Sequence, residues 1–452
     1  MHKFFPIHEI PAAIETPVDV DAESEVTAPL PEIALQQKMR EGYEYADSAE
    51  SWYLTVLKDA PFGDEEAAKL LLAQKAELPI LMSAVLERTC NLRCAHCLYQ
   101  DEVSSAPLSR AQHLDEVIMN MVSQMPPRTE AYAPSFMSAG RILRPTHLDL
   151  FHRLRNSRPD VSLGVIDNGT FTKLSSRWPE GFKFDWMDVS IDGPEAIHNA
   201  QRQSPVAFKD AINGLREARK VVRSKEEGGR VTSLFTLTSL NAKSVMETAD
   251  MLLDQSTGEP LVDQFRVTTL SPTNEVNTDL EAGIEDFTEA WEGIRRVSAK
   301  YNAEGKKSFH FSIYQTANME KLAAIVGEKK FLEAFSAKGG LRVNANFLET
   351  EIDGVPISYL PLSIWTPEEL LIEADGAYRT AYEGMFTLEE LRSGVAKDGR
   401  DTRPYTVEQL TPESDFRKAY EHGVDSYLTN FGKERIEEER GVWRRIRDKA
   451  AE

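Results

Sequence analysis

Between residues 81 and 270 the sequence alternates. Six apolar runs with strand character recur: LMSAVLE (81–87), YAPSFMSA (132–139), VSLGVI (161–166), WMDVSID (186–192), VTSLFTLT (231–238) and QFRVTTL (264–270). Stretches with helical spacing separate them, near 109–125, 146–156, 206–222 and 242–254. In the first of these Leu114, Val117, Ile118 and Met121 fall on one face. Strands alternating with amphipathic helices predict a parallel sheet with helices packed outside it. The expected fold class is α/β, a partial (β/α)6 barrel whose functional loops follow the C-terminal ends of the strands.

The flanks read differently. Residues 1–35 are rich in Pro, Ala and acids and predict a flexible arm. Residues 36–79 predict a helical preface, and 80–275 the barrel core. A helical extension over 276–340 is expected, with a long helix at about 282–302, the strand-like SFHFSIY, and a helix near 317–336. Residues 341–452 predict a small α+β cap: short strands, an Asp375-Gly376 hairpin turn and charged closing helices. A chain of 452 residues exceeds one ordinary domain of about 100–200 residues, and one barrel with flanking pieces accounts for it.

The formal charge of -21 argues against nucleic acid or an anionic membrane surface as the main partner. No run of about 18 apolar residues is present, and the start lacks the apolar core of a secretory signal. The expectation is a cytoplasmic protein.

The chemistry is concentrated in one loop. Cys90, Cys94 and Cys97 are the only cysteines in the chain, and they stand together in CNLRCAHC directly after the first strand run. No disulfide framework follows from three such neighbours. A cubane iron–sulfur cluster normally takes four thiolates, so three describe a cluster with one iron open to another ligand. Zinc is the rival metal. It wants four ligands, usually in two separated pairs, and the neighbours His96 and Cys97 rarely both reach one tetrahedral ion. An incidental cluster of reactive thiols is the third reading.

CNLRCAHC after the first strand of a β/α series resembles the signature of radical S-adenosylmethionine (SAM) enzymes. The likeness is nearest to the subgroup of sulfatase-maturating and peptide-modifying enzymes with a SPASM-type C-terminal domain. It extends well over roughly 80–270 and weakly over 340–395. It implies one [4Fe–4S] cluster on Cys90, Cys94 and Cys97, and SAM chelated at the open iron. It also implies oxygen sensitivity and one-electron cleavage of SAM to a 5′-deoxyadenosyl radical. His96 would lie against adenine; a loop histidine without a role is the other reading. DVSIDGPEAIHNAQR resembles the family's fourth-strand stretch. Ser190 would then bond SAM, Arg202 would pair with its carboxylate, and Asp192 with Gly193 would shape the turn. A plain Asp-Gly loop with a surface Arg202 is the alternative. DNGTF resembles the turn after the third strand, which places Asn168 at the pocket or in a simple turn. Leu270 would press on adenine or pack in the core. In MSAGRILRP the family's glycine-rich turn is changed: Ser138 and Ala139 stand for two glycines and Gly140 for the acid.

SPASM-type domains bind further clusters through many cysteines, and this chain has none to spare. ELLIEADGAYRTAYEGMFTLEELRSG keeps the rhythm of that domain, so the resemblance implies a cluster-free remnant; an unrelated hairpin is the alternative. Without an auxiliary cluster or spare thiol, two-electron oxidation and thiol-quenched epimerisation are disfavoured; rearrangement, elimination, carbon–carbon bond formation, or quenching by a tyrosine, Tyr378 or Tyr382, stays open. The function expected is hydrogen abstraction from a peptide or protein side chain, with a flavodoxin- or ferredoxin-type electron donor. The alternatives are a small-molecule substrate (sugar, cyclitol or amino acid) and a non-catalytic iron–sulfur or zinc scaffold.

Overall fold

The computed structural model describes residues 81–359, apart from 87–89, 98–112, 130–132, 139–142, 144, 172–177, 179, 255, 257–258, 271–277, 315, 337–338, 340 and 345–346, and then 369–372, 378–380, 410–419 and 432–452. The expected arm, helical preface, Asp375-Gly376 turn, Ala139, Gly140 and Tyr382 lie outside them.

The six anticipated strands all form. They are β1 (Leu81–Ala84), β2 (Ser135–Ser138), β3 (Ser162–Asp167), β4 (Trp186–Ser190), β5 (Arg230–Leu237) and β6 (Gln264–Thr269), each paired parallel with the next. Helices cover one face: α1 (Leu114–Gln124), α2 (Pro145–Ser157), α3 (Glu195–Arg202), α4 (Ala207–Val221), α5 (Val245–Leu253) and α6 (Ile284–Tyr301). The strand-like SFHFSIY continues the series. Its β7 (Phe309–Ile313) pairs parallel with β6, so the alternation runs one unit beyond residue 270.

The C-terminal third joins the same sheet at both borders. After α7 (Thr316–Val326) and α8 (Glu328–Ala334), the strands β8 (Arg342–Asn344), β9 (Phe347–Ile352) and β10 (Val355–Tyr359) form an antiparallel meander, and β10 pairs parallel with β7. At the opposite border β11 (Glu369–Ile372) pairs parallel with β1, and β12 (Tyr378–Thr380) runs antiparallel to β11. The sheet order is β12-β11-β1-β2-β3-β4-β5-β6-β7-β10-β9-β8, an open sheet of 12 strands.

Strand alternation sorts the side chains. Phe136, Leu163, Met187, Phe235, Phe265 and Phe309 enter the core beneath the helices. Edge-to-face aromatic contacts knit that core, with Phe151 against Phe184 at 4.9 Å and Phe182 against Phe184 at 5.0 Å between centroids. Each such burial contributes roughly 1.5–3 kcal/mol. The inner face carries a separate small apolar cluster, Met137, Trp186 and Leu234. The last helix, α9 (Gly432–Ala451), docks through Trp443 on Phe331, Phe335 and Tyr359. Among the described residues no helix is long and apolar enough to cross a membrane.

Candidate functional site at the strand C-terminal ends

The cysteine loop leaves the C-terminal end of β1, and the turns after β3, β4 and β5 meet it. Cys94 is buried, while Cys90 and Cys97 are partly buried around Leu92 and Ala207. Main-chain bonds fix the loop: Ala95 N–H donates to Gln201 O at 2.8 Å, and Cys97 N–H to Cys94 O at 3.0 Å. Leu92 N–H points at Cys90 Sγ, 3.4 Å away. Burial pushes the Cys94 thiol up to about 11, offset in part by Arg202 and raised further by Cys97 and Cys90. Burial also raises Cys90, and the charge of Cys97 adds to it.

Asn168 joins the turn after β3 to this loop. Its Nδ2 donates to Asn91 Oδ1 at 2.9 Å and approaches Cys90 Sγ at 3.8 Å, while its Oδ1 accepts from Thr170 N–H and Oγ1–H. The turn packs backbone on backbone against α4. Gly169 has φ +86°, and a Cβ on Gly214 would meet Gly169 O at 2.4 Å. Asp167, beneath it, accepts from Leu143 N–H and Gly169 N–H, both at 2.7 Å.

The turn after β4 holds the charged centre. Arg202, the last residue of α3, donates from Nε to Asp192 Oδ2 at 2.5 Å, and its Nη1 lies 3.7 Å from Cys94 Sγ. Its Nη2 is buried and has no hydrogen-bond partner among the described residues. Asp192 is fully buried, and its Oδ1 accepts from Thr236 N–H at 3.0 Å. His96 Nε2 lies 3.9 Å from Asp192 Oδ2. Asp192 N–H donates to His198 Nδ1 at 3.0 Å, which requires a neutral imidazole. Burial, and then the nearby Arg202, push His198 down to about 4.

Cys90, Cys94, Cys97, His96, Asn168, Asp192 and Arg202 thus meet in one place. Ser190 closes β4 on its inner face, and Leu270 follows β6, buried, with its N–H on Leu237 O at 3.2 Å. Tyr378 belongs to β12, two strands from β1. Three contributors escaped the sequence reading. His198 and Gln201 sit inside the DVSIDGPEAIHNAQR stretch, six and nine residues beyond Asp192, and only that helical spacing signalled them. Asn241, whose Nδ2 holds Asp192 O at 3.0 Å and Thr236 O at 2.8 Å, carried no sequence signal.

Among the described residues no group of three or more His, Cys, Asp or Glu side chains is arranged to hold a metal ion. The donor set nonetheless suits a cubane in kind: three free thiols in one loop, with a buried guanidinium against one of them. Cubane ligands bind different irons and need not close on one point.

No protein-family model and no curated protein matches the chain. Solved structures are similar to it. "Native anSMEcpe with bound AdoMet and Cp18Cys peptide" shares 15% identity over 80% of this chain and 83% of that one, with a TM-score of 0.47. Streptococcus suis SuiB bound to precursor peptide SuiA shares 11% over 92% and 76%, with 0.48. The FeFe-hydrogenase maturase HydG from Carboxydothermus hydrogenoformans shares 12% over 66% and 69%, with 0.36. At these identities and TM-scores the likeness assigns no chemistry to this chain.

Proposed function

We propose that the chain is a radical SAM enzyme that abstracts hydrogen from a peptide or protein side chain. The observation that carries this reading is the meeting of Cys90, Cys94 and Cys97 with the buried Arg202–Asp192 pair at the C-terminal ends of the parallel strands. Cys90, Cys94 and Cys97 would hold a [4Fe–4S] cluster. With SAM bound there, the cluster would supply the one electron whose transfer to SAM breaks the S–C5′ bond, giving methionine and a 5′-deoxyadenosyl radical.

The chain's own residues position and exclude. Asp192 orients Arg202, which leaves the Nη2 donor for the carboxylate of SAM, an anion that a guanidinium recognises well. Asn168 braces Cys90 from the neighbouring turn. His96 and Leu270 stand at the same end of the sheet for adenine and Ser190 for the ribose or carboxylate region, and by the sequence resemblance the backbone at Ala139 would receive the SAM amino group. The peptide preference follows the sequence resemblance to peptide-modifying enzymes, and a flavodoxin- or ferredoxin-type protein is the electron donor in this reading. Where the substrate radical is quenched by a hydrogen atom, Tyr382 or Tyr378 is the donor in this reading.

One anaerobic preparation tests the reading. Reconstitution is expected to load about four irons per chain. Added SAM and a strong reductant are expected to release 5′-deoxyadenosine, and Cys94→Ala to abolish it. Zinc uptake without iron, or a cluster whose spectrum ignores SAM, overturns it.

A further inference from the structure

Several parallel strands end on a residue of the candidate site, and β7 ends on a phenol. Asn168 follows β3, Asp192 stands two residues beyond β4, Leu270 follows β6, and Tyr314 follows β7. Tyr314 N–H donates to Thr269 Oγ1 at 3.3 Å, and Asn318 of α7 reaches Leu270 O at 3.5 Å. Tyr314 is thus held beside the end of β6, at the same end of the sheet as the cysteine loop.

Its side chain is buried and lies over the inner face. The hydroxyl bonds to Ser312, two residues back, and the phenol is near enough to Arg266 on β6 and Asp188 on β4 for both charges to act on it. Asp188 is three strands from β7, so the phenol reaches inward across the sheet. Burial pushes Tyr314 up, with Arg266 and Ser312 opposing and Asp188 adding to it, so the O–H stays intact at neutral pH.

From Ser312 the hydrogen bonds continue along the same face. Ser312 Oγ is 3.1 Å from Ser358 Oγ, and Ser358 Oγ is 2.7 Å from His310 Nε2. Strand pairing makes these neighbours: Ser358 of β10 stands opposite Ser312, and His310 precedes Ser312 by two residues on β7. Both serines have no solvent exposure, while His310 is half-buried. Burial, then Arg266 and Arg230, push His310 down to about 3. Its ring is therefore neutral, and it can take a proton on one nitrogen as it gives one from the other. Hydroxyls also both give and accept, so Tyr314, Ser312, Ser358 and His310 form a continuous file for a proton.

A phenol at the head of such a file has a chemistry its neighbours lack. Its O–H bond is weaker than an aliphatic C–H bond, so a carbon radical takes its hydrogen atom downhill. Thiols could do the same, but the chain has only the three of the proposed centre.

We propose that Tyr314 is the hydrogen-atom donor of this chain and that Ser312, Ser358 and His310 re-protonate it. This rests on the function proposed above and names the donor within it, in place of Tyr378 and Tyr382. A carbon radical at the strand C-terminal ends, the substrate's or, with no substrate bound, that of 5′-deoxyadenosyl, gains a C–H bond as the Tyr314 O–H bond breaks. A phenoxyl radical remains. One electron from the flavodoxin- or ferredoxin-type donor and one proton passed from His310 through Ser358 and Ser312 restore the phenol, and His310 recovers its proton from water. A substrate that loses one hydrogen atom and regains another changes configuration or connectivity with no net change of oxidation state.

The test uses the full chain, reconstituted in deuterium oxide with SAM, no substrate, and titanium(III) citrate as a reductant without thiols. The 5′-deoxyadenosine released by the wild type is expected to carry one deuterium, taken from the exchangeable Tyr314 hydroxyl, and Tyr314→Phe is expected to lose that label. Unlabelled product from the wild type overturns the proposal, and so does label that persists in Tyr314→Phe or vanishes in Tyr378→Phe or Tyr382→Phe. In the unloaded chain, with tyrosine carbon-labelled at Cζ, the Tyr314 resonance is identified by its absence in Tyr314→Phe. It is expected to shift in Ser312→Ala, and an unmoved resonance removes the relay. Because unlabelled wild-type product refutes the proposal alone, a variant that fails to fold does not protect it. Absence of any 5′-deoxyadenosine sinks the parent reading and this one with it, whereas unlabelled 5′-deoxyadenosine sinks this one only.

Discussion

The Arg202 guanidinium and the Asp192 carboxylate form a buried ion pair, Nε to Oδ2 at 2.5 Å, with side chains 7% and 0% exposed. The pair is formed across one turn and one short helix, residues ten apart in sequence. Removing one member strands the other. Asp192→Ala is expected to lower unfolding free energy by about 3–5 kcal/mol. Urea unfolding at pH 7 measures it, and a loss below about 1 kcal/mol, the range of exposed pairs, refutes the burial.

His198 makes stability depend on pH. Its folded pKa is about 4 against an ordinary 6.5, so the folded state favours the neutral ring. The stabilisation is fully present above pH 6.5 and is lost as pH falls towards 4. In His198→Gln the fall in melting temperature across that window is expected to be shallower than in the wild type. Identical slopes in the two proteins contradict the assignment.

Asn168 touches Cys90 without being a cysteine. Shortening it in Asn168→Ala removes one contact to the sulfur and unties the turn after β3 from the loop. Outer contacts of this kind typically change metal affinity by about 10–100-fold. In the reconstituted protein, chelator-driven iron loss is expected to be about tenfold faster than in the wild type.

Tyr359 donates its hydroxyl to Glu439 Oε1 at 2.5 Å, and both residues are buried. The bond ties β10 to α9. Tyr359→Phe is expected to cost about 1–3 kcal/mol, the range for taking the donor from a buried acceptor. Hydrogen exchange is expected to rise first in α9.

The sequence displayed the parallel series because each strand from β1 to β6 is a compact apolar run bounded by a helix-spaced stretch. β7 was recognisable as SFHFSIY, yet nothing local said that it would extend the sheet: its partners on β6 lie some 40 residues earlier. The site divided the same way. Cys90, Cys94 and Cys97 share one loop and stood out at once. His198, Gln201 and Asn241 act through bonds whose partners no short pattern links, such as Thr238 Oγ1 to Gln201 Oε1 and Asn241 Nδ2 to Asp192 O. The inner-face residues Asp188, Arg230, Arg266 and His310 come from four strands, and only lateral pairing makes them neighbours.

β1 is flanked by β2 on one side and by β11 on the other, and β11 is translated almost 290 residues later. Until that late segment emerges from the ribosome, the strand that delivers the cysteines is a bare border with one row of amides unsatisfied. If the proposed cluster is held there, its loading would be timed by the tail of the chain: a nascent protein halted before residue 369 presents its thiols on an unfinished rim, and maturation has to wait for most of the polypeptide.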